Sequence, residues 1–161
     1  MITQTEIFKY GLYIESIVID YLQNVKQYKI LEKYNNDNKY DLIIQDTENN
    51  VFKVEIKGDR QAYITNNLYI EYISHDKPSG INTTKSDIIL YVVEHDEKYI
   101  LYWIYINNLK NYINNHYDTI KKGKSKSIDC NGNFNGKYNY GYLIKINSNI
   151  HYFCNDIIKS K

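Results

Sequence analysis

Residues 40–58 constrain this chain more than any other stretch, because polar and apolar residues alternate there twice in succession. Residues 41–45 and 51–57 read as two strands. The loop Asp46-Thr47-Glu48-Asn49-Asn50 joins them and is rich in turn formers. A period of two puts Leu42, Ile44, Phe52, Val54 and Ile56 on one face. Asp41, Ile43, Gln45, Lys53, Glu55 and Lys57 fall on the other. A hairpin symmetric about Glu48 pairs Gln45 with Val51, Ile43 with Lys53, and Asp41 with Glu55. Directly opposed residues have Cβ atoms about 4.5–5.5 Å apart. Two carboxylates that close repel, and a divalent cation between them removes the conflict.

The complete pattern is Asp41, thirteen residues, then Glu55-x-Lys57, with Lys57 on the same side of the strand as Glu55. These residues resemble the signature of the PD-(D/E)XK nuclease superfamily, which includes restriction enzymes, Holliday junction resolvases and phage or viral nucleases. Tyr40 stands where the family's name has Pro. The resemblance implies an α/β fold, a restriction-endonuclease-like mixed sheet flanked by helices. It also implies metal-dependent hydrolysis of DNA phosphodiester bonds. Asp41, Glu55 and the backbone carbonyl of Ile56 would bind Mg²⁺ or Mn²⁺, since hard cations prefer oxygen. Lys57 would orient water or neutralise charge in the transition state.

Upstream, Thr3 and Glu6 have capping-box spacing, so a helix is expected from about residue 4. Ile7, Gly11, Ile14, Val18, Tyr21, Leu22 and Val25 recur at helical spacing. Gly11 on that stripe suggests close approach to a sheet. Several families with this signature supply an acidic residue from the first helix, and Glu15 is the candidate by resemblance. An exposed helix carboxylate is the alternative reading of Glu15. Residues 31–39 read as a polar loop.

After the hairpin, Arg60 and Gln61 lie in a connection from which they could reach a phosphate. Residues 68–73 alternate as a third strand. Its Glu71 is either a further acid at the site or one half of a cross-strand pair with a lysine. Residues 77–87 follow, with the chain's only proline. The run Ser79-Gly80-Ile81-x-Thr83-Thr84-Lys85-x-Asp87 resembles a segment of phage and viral members of the same superfamily. Ser79, Thr83, Thr84 and Lys85 have the hydroxyls and charge to hold a phosphate. A helix cap on Thr83 or Thr84 accounts for the hydroxyls equally well. Residues 88–93 are continuously apolar, as in a central strand. Residues 99–106 read as another strand, and a helix follows from Asn107.

Lys121, Lys122, Lys124 and Lys126 form the densest basic run. It reads as a flexible loop, either solvated or in contact with DNA phosphates. The Gly- and Asn-rich segment 131–141 carries aromatics able to stack on unpaired bases. Residues 142–146 read as the last strand. Ile150, Phe153, Cys154, Ile157 and Ile158 suggest a closing helix.

Composition bounds the rest. The length, 161 residues, suits one domain. A net charge of +1 confines any DNA-binding surface to a local patch. Cys130 and Cys154 have no zinc-like spacing and are too few for a disulfide scaffold, which fits an intracellular protein. The resemblance places it in a bacterial cytoplasm or a virus-infected cell. Neither a signal peptide nor a membrane-length apolar run is evident. The four histidines are scattered at no ligand spacing. Arg is scarce and no module for reading base edges is apparent, so the expected substrate is branched DNA, cut by a homodimer as in Holliday junction resolution. A sequence-specific restriction-type endonuclease and a non-cleaving nucleic-acid-binding module of the same fold remain the alternatives.

Overall fold

The computed structural model describes residues 4–33, 40–96, 98–128, 133–146 and 153–159. The elements in chain order are α1 (Gln4–Asn24), β1 (Lys29–Lys33), β2 (Leu42–Gln45), β3 (Val51–Asp59) and the single turn α2 (Ala62–Thr65). They continue with β4 (Asn67–Ser74), β5 (Lys77–Pro78), a 3-10 turn (Gly80–Asn82), β6 (Ile88–His95), β7 (Lys98–Tyr105) and α3 (Ile106–Asn115). The last are β8 (Lys121–Ile128), β9 (Phe134–Lys145) and β10 (Phe153–Lys159). The fold is α/β. A six-stranded mixed sheet, ordered β1-β2-β3-β6-β7-β10, packs against a four-stranded antiparallel sheet, ordered β5-β4-β9-β8.

The hairpin pairs Gln45 with Val51 and Ile43 with Lys53 as expected, but its ladder ends at Leu42 opposite Val54, so the expected pair of Asp41 with Glu55 does not form in it. Asp46 fixes its loop, accepting hydrogen bonds from the backbone N–H groups of Glu48 (2.9 Å) and Asn50 (2.8 Å). Asn49 takes the left-handed conformation there, φ 68°. β3 then pairs in parallel with β6, from Val54 opposite Ile88 to Asp59 opposite Val93. The remaining ladders of this sheet are antiparallel.

The mixed sheet is covered on both faces. On one, Ile14, Val18, Tyr21 and Leu22 of α1 pack with Leu42, Ile44, Val54, Ile88, Leu90, Val92, Leu101 and Trp103. On the other, Ile89, Tyr91, Val93, Tyr102 and Ile104 meet Leu68, Ile70, Tyr142 and Ile144 of the second sheet, with Leu109 and Ile113 of α3. Double burial is why β6 reads as an unbroken apolar run. Within the expected stripe, Ile7 and Val25 are exposed, the latter just past the helix, and the core-facing part of α1 runs from Ile14 to Leu22.

Several expectations are corrected. The close approach between helix and sheet falls on Gly58, not Gly11. A Cβ at Gly58 would lie 2.9 Å from both Ile14 and Tyr10, whereas one at Gly11 would meet nothing within 4 Å. Residues 31–33 belong to strand β1 rather than a loop. The third strand of the sequence reading, β4, leaves the hairpin's sheet and starts the second one. α3 begins at Ile106 after Tyr105, so Asn107 does not cap it. The basic run is a strand, β8, because β9 presents it with a ladder partner. The closing segment is a strand too. Residues 153–159 pair with residues 98–104 of β7, whose outer N–H and C=O groups would otherwise be left as a bare edge. Trp103 donates its indole N–H to Asp156 (3.0 Å), and Lys26 pairs with the same carboxylate oxygen (3.0 Å). Thr3 and Cys130 lie outside the described residues, as does the segment 147–150 with Ile150.

Candidate active site

The site lies where β3 changes neighbours. Its ladder with β2 ends at the pair Leu42–Val54, and its ladder with β6 begins at Val54. Beyond Val54, the side of β3 that faced β2 is open. Asp41, one residue before β2, occupies the gap. Its backbone N–H donates to the Val54 carbonyl (2.7 Å), and its Oδ2 accepts the N–H of Ile56 (2.6 Å). That carboxylate replaces the ladder partner that Ile56 would otherwise lack. In an extended strand the N–H and C=O of one residue project to the same side. The Ile56 carbonyl therefore also opens towards Asp41.

Alternation along β3 buries Val54 under α1 and turns Glu55 and Lys57 to the opposite face. A cleft of about 410 Å³ results, lined by Glu15, Tyr40, Asp41, Glu55, Ile56, Lys57, Gly80, Thr83 and Thr84. Glu15, one of two open readings in the sequence, thus reaches the same cleft from α1. A smaller cavity of about 20 Å³ adjoins it, bordered by Glu55, Lys57, Tyr69, Glu71 and Tyr91 among others.

The segment 79–84 forms the far wall. The Thr84 hydroxyl donates to Glu55 Oε2 (3.0 Å), and the Ser79 hydroxyl donates to Glu71 Oε1 (2.7 Å). Two hydroxyls expected to cradle phosphate or cap a helix are instead bonded to carboxylates. Gly80 makes this wall possible. Its φ is +47°, and a Cβ there would lie 2.2 Å from the Glu71 carbonyl oxygen. Thr83 lines the cleft, whereas Lys85 is exposed and outside it.

Electrostatics tie the acids together. The Glu55 carboxyl is pushed above its ordinary range chiefly by desolvation. Lys57 and the Thr84 hydroxyl pull it back, while Asp41 and Glu71 push it further up. Asp41 is raised by desolvation too, opposed by the Ile56 N–H and by Lys57. Glu15 is raised by desolvation and then by Asp41, with Lys33 opposing. Lys57 therefore acts on both Asp41 and Glu55, and the Asp41 charge is felt by Glu15 and by Glu55.

This donor set suits a hard divalent cation. One oxygen of Asp41 and one of Glu55 are already held by protein donors, which fixes both carboxylates in orientation. Among the described residues, no three His, Cys, Asp or Glu side chains converge tightly enough to form a metal centre by themselves.

The other residues picked out by sequence do not join the cleft. Arg60 lies 3.9 Å from the Tyr10 ring centre, its Nε pairs with Glu94 (3.3 Å), and it does not line the cleft. Lys121, Lys122, Lys124 and Lys126 alternate along β8 and line neither cavity. Sequence reasoning missed Tyr91 and Asp59. The buried Tyr91 hydroxyl donates to Asp59 Oδ2 (2.5 Å) and accepts the Tyr69 N–H (3.1 Å), linking the end of β3 to β4 at the border of the smaller cavity. A tyrosine inside the apolar run 88–93 was the available signal, since a buried hydroxyl requires partners.

No protein-family model, curated protein or solved structure matches this chain. No described helix is long and apolar enough to cross a membrane.

Proposed function

We propose that this chain is a metal-dependent DNA endonuclease with a PD-(D/E)XK site and a restriction-endonuclease-like core. The observation that carries the reading is the convergence of Asp41, Glu55, Lys57 and Glu15 on one cleft. Asp41 and Glu55, with the Ile56 carbonyl, would hold Mg²⁺ or Mn²⁺. Such an ion, when bound, lowers the pKa of water and stabilises charge on a phosphate. The protein's own part is positioning and charge. The Ile56 N–H orients Asp41, the Thr84 hydroxyl orients Glu55, and Lys57 supplies a fixed positive charge where negative charge grows on the phosphate. Glu15 adds a second-side carboxylate towards the incoming substrate. Thr83 is placed to meet a phosphate oxygen.

The substrate in this proposal is branched DNA, a four-way junction in particular, cut by a homodimer. Phe8 and Leu12, one helical turn apart on α1, are 66% and 49% exposed, and this apolar stripe is where a second copy would pack. Two such subunits related by a two-fold axis would place two sites on opposed strands. Incubation with Mg²⁺ or Mn²⁺ and a panel of supercoiled, linear, single-stranded, flap and four-way junction DNA tests the reading. Preferential junction cutting supports it. Discrete bands from linear duplex at one short sequence would favour the restriction-type alternative, and binding without cutting in any metal would favour the non-cleaving module.

A further inference from the structure

Strands β8 and β9 concentrate the positive charge of this protein. Lys121, Lys122, Lys124, Lys126, Lys137 and Lys145 lie in them and no acidic residue does, in a chain whose net charge is +1. The register sorts these charges. Lys122 is opposite Tyr142, Lys124 opposite Tyr140 and Lys126 opposite Tyr138, three successive Lys–Tyr rungs on one face. The other face pairs Lys121 with Leu143, Gly123 with Gly141 and Ser125 with Asn139, and the Tyr69 ring covers Gly141.

On the Lys–Tyr face each ammonium sits by a ring. Lys122 lies 4.3 Å from the Tyr117 ring centre, Lys124 3.5 Å from Tyr138 and 5.7 Å from Tyr140, and Lys126 5.5 Å from Phe134. Cation–π contact holds an ammonium in place and leaves its N–H donors largely available. Lys122, Lys124 and Lys126 form no ion pair among the described residues and are exposed. The inner rung is anchored, with Tyr142 buried and its ring 4.5 Å from that of Tyr72. Outward from it, Tyr140 and Tyr138 are partly exposed and Phe134 is 43% exposed.

We infer that this face of the β8–β9 ribbon binds an unpaired nucleic-acid strand, its phosphates on Lys122, Lys124 and Lys126 and its bases against Tyr138, Tyr140 and Phe134. The choice of nucleic acid as the polyanion rests on the nuclease reading; the charge and the aromatic ladder do not. Lysines two apart on a strand recur every 6.6–6.8 Å or so, close to the distance between successive phosphates of an extended strand. Lysines on an edge strand also discourage pairing with another chain. That role needs no aromatic ring in register opposite each of them. A duplex hides its base faces and would meet only the lysines, whereas an unpaired strand meets the lysines and the partly exposed rings of the two outer rungs, Tyr138 and Tyr140.

The test is fluorescence anisotropy with the whole protein in EDTA, so that cleavage plays no part. The probes are a labelled oligothymidine of about 20 nucleotides, longer than such a surface spans, and a duplex of equal length. The single strand is expected to bind at least tenfold more tightly. Replacing Lys122, Lys124 and Lys126 together by Ala should reduce the salt slope by about 2, from about 0.7 per phosphate contact. The single change Lys124→Gln should reduce it by about 0.7. Tyr140→Leu should weaken binding about tenfold at fixed salt, with the melting temperature checked for folding. Lys121→Ala, on the other face, should leave the slope unchanged. Equal or tighter duplex binding, an unaltered slope in both lysine variants, or a Lys121→Ala loss equal to that of Lys124→Gln would each overturn the inference. Metal-dependent cutting that survives such a result leaves the Glu55 and Lys57 site standing, so the two readings fail separately.

Discussion

Replacing Glu55 by Gln removes one negative charge from the cleft and keeps an acceptor for the Thr84 hydroxyl, which now bonds Glu55 at 3.0 Å. The folded-state pKa of Glu55 is raised, by desolvation above all, and that of Asp41 is raised by desolvation as well. The sign follows from linkage. A carboxyl with a raised folded pKa contributes stability that is fully present below its unfolded value, about 4.3 for Glu. That contribution is lost as pH rises through the folded value. Ionisation of these acids is therefore opposed by folding in the metal-free protein, and Glu55→Gln should melt at or above the wild-type temperature at neutral pH. A cation reverses the penalty only when Glu55 is present. At a hundred times its Kd, an ion that binds the folded state alone adds about 2.7 kcal/mol. For a chain of this size that corresponds to a rise of about 5–11 °C. The assay is thermal unfolding with Mn²⁺ titrated into metal-free protein at pH 5 and pH 7.5. The wild-type shift should be larger at pH 7.5, where protons compete less, and Glu55→Gln should lose most of it. A variant that keeps the whole shift would show that the ion binds elsewhere. A metal-free Glu55→Gln that melts several degrees lower would show that the carboxylate is a structural partner rather than a disfavoured charge.

Three further outcomes are expected. Lys57→Ala should retain the Mn²⁺-induced shift while plasmid cleavage falls about 10²–10³-fold, the usual cost of removing one transition-state charge partner; cleavage within tenfold of wild type would remove Lys57 from the chemistry. Gly80→Ala forces a Cβ against the Glu71 carbonyl oxygen at positive φ, and urea unfolding should show a loss of about 2–4 kcal/mol; a loss under 0.5 kcal/mol or so would mean the wall yields freely. Asp156 has its pKa lowered because Lys26, Tyr21 and Trp103 together outweigh the rise from its burial. Its contribution is present above the unfolded value, about 3.9, and is lost as pH falls through the folded one. Asp156→Asn should therefore destabilise at pH 7 and hardly at all near pH 2, as read by urea midpoints.

The parts of the fold legible in the sequence are those fixed by local pattern. The hairpin's register follows from period-two alternation around a loop of turn formers, and one slip would have turned Glu55 into the α1 core. β6 was legible because both its faces are buried. What no local pattern carries is the choice of partner. β4 alternates as well in one sheet as in another, so its move to the second sheet left no trace in residues 67–74. Phe153, Cys154, Ile157 and Ile158 fit a helical face, and the unpaired edge of β7 makes that segment a strand instead. The lysine run looked like a loop because its side chains are all polar, yet β9 supplies a ladder. Spacing and resemblance pick out Glu15, Asp41, Glu55 and Lys57, and the fold brings these four to one cleft. They do not pick out the Ser79–Glu71 and Thr84–Glu55 hydrogen bonds, because each joins residues that only the 3-10 turn brings together.

One feature of β3 explains why a cleft exists here at all. A strand inside a sheet normally has both edges occupied along its length, which leaves no room for a substrate between neighbours. β3 is paired with β2 only up to Val54 and with β6 only from Val54 onward. The sheet therefore splits at that residue, and the backbone of Ile56 faces the split. An unpaired N–H at this depth costs free energy, and Asp41 satisfies it with a side-chain oxygen rather than with another strand. A carboxylate can do this while keeping its second oxygen for a ligand, which a backbone carbonyl of β2 could not. Gly58 lets α1 close over the same stretch, which brings Glu15 to the rim. The acidic cluster thus follows from how the sheet comes apart: Asp41 fills the missing ladder position, Glu55 and Lys57 alternate beside it, and Gly80 and Thr84 close the far side.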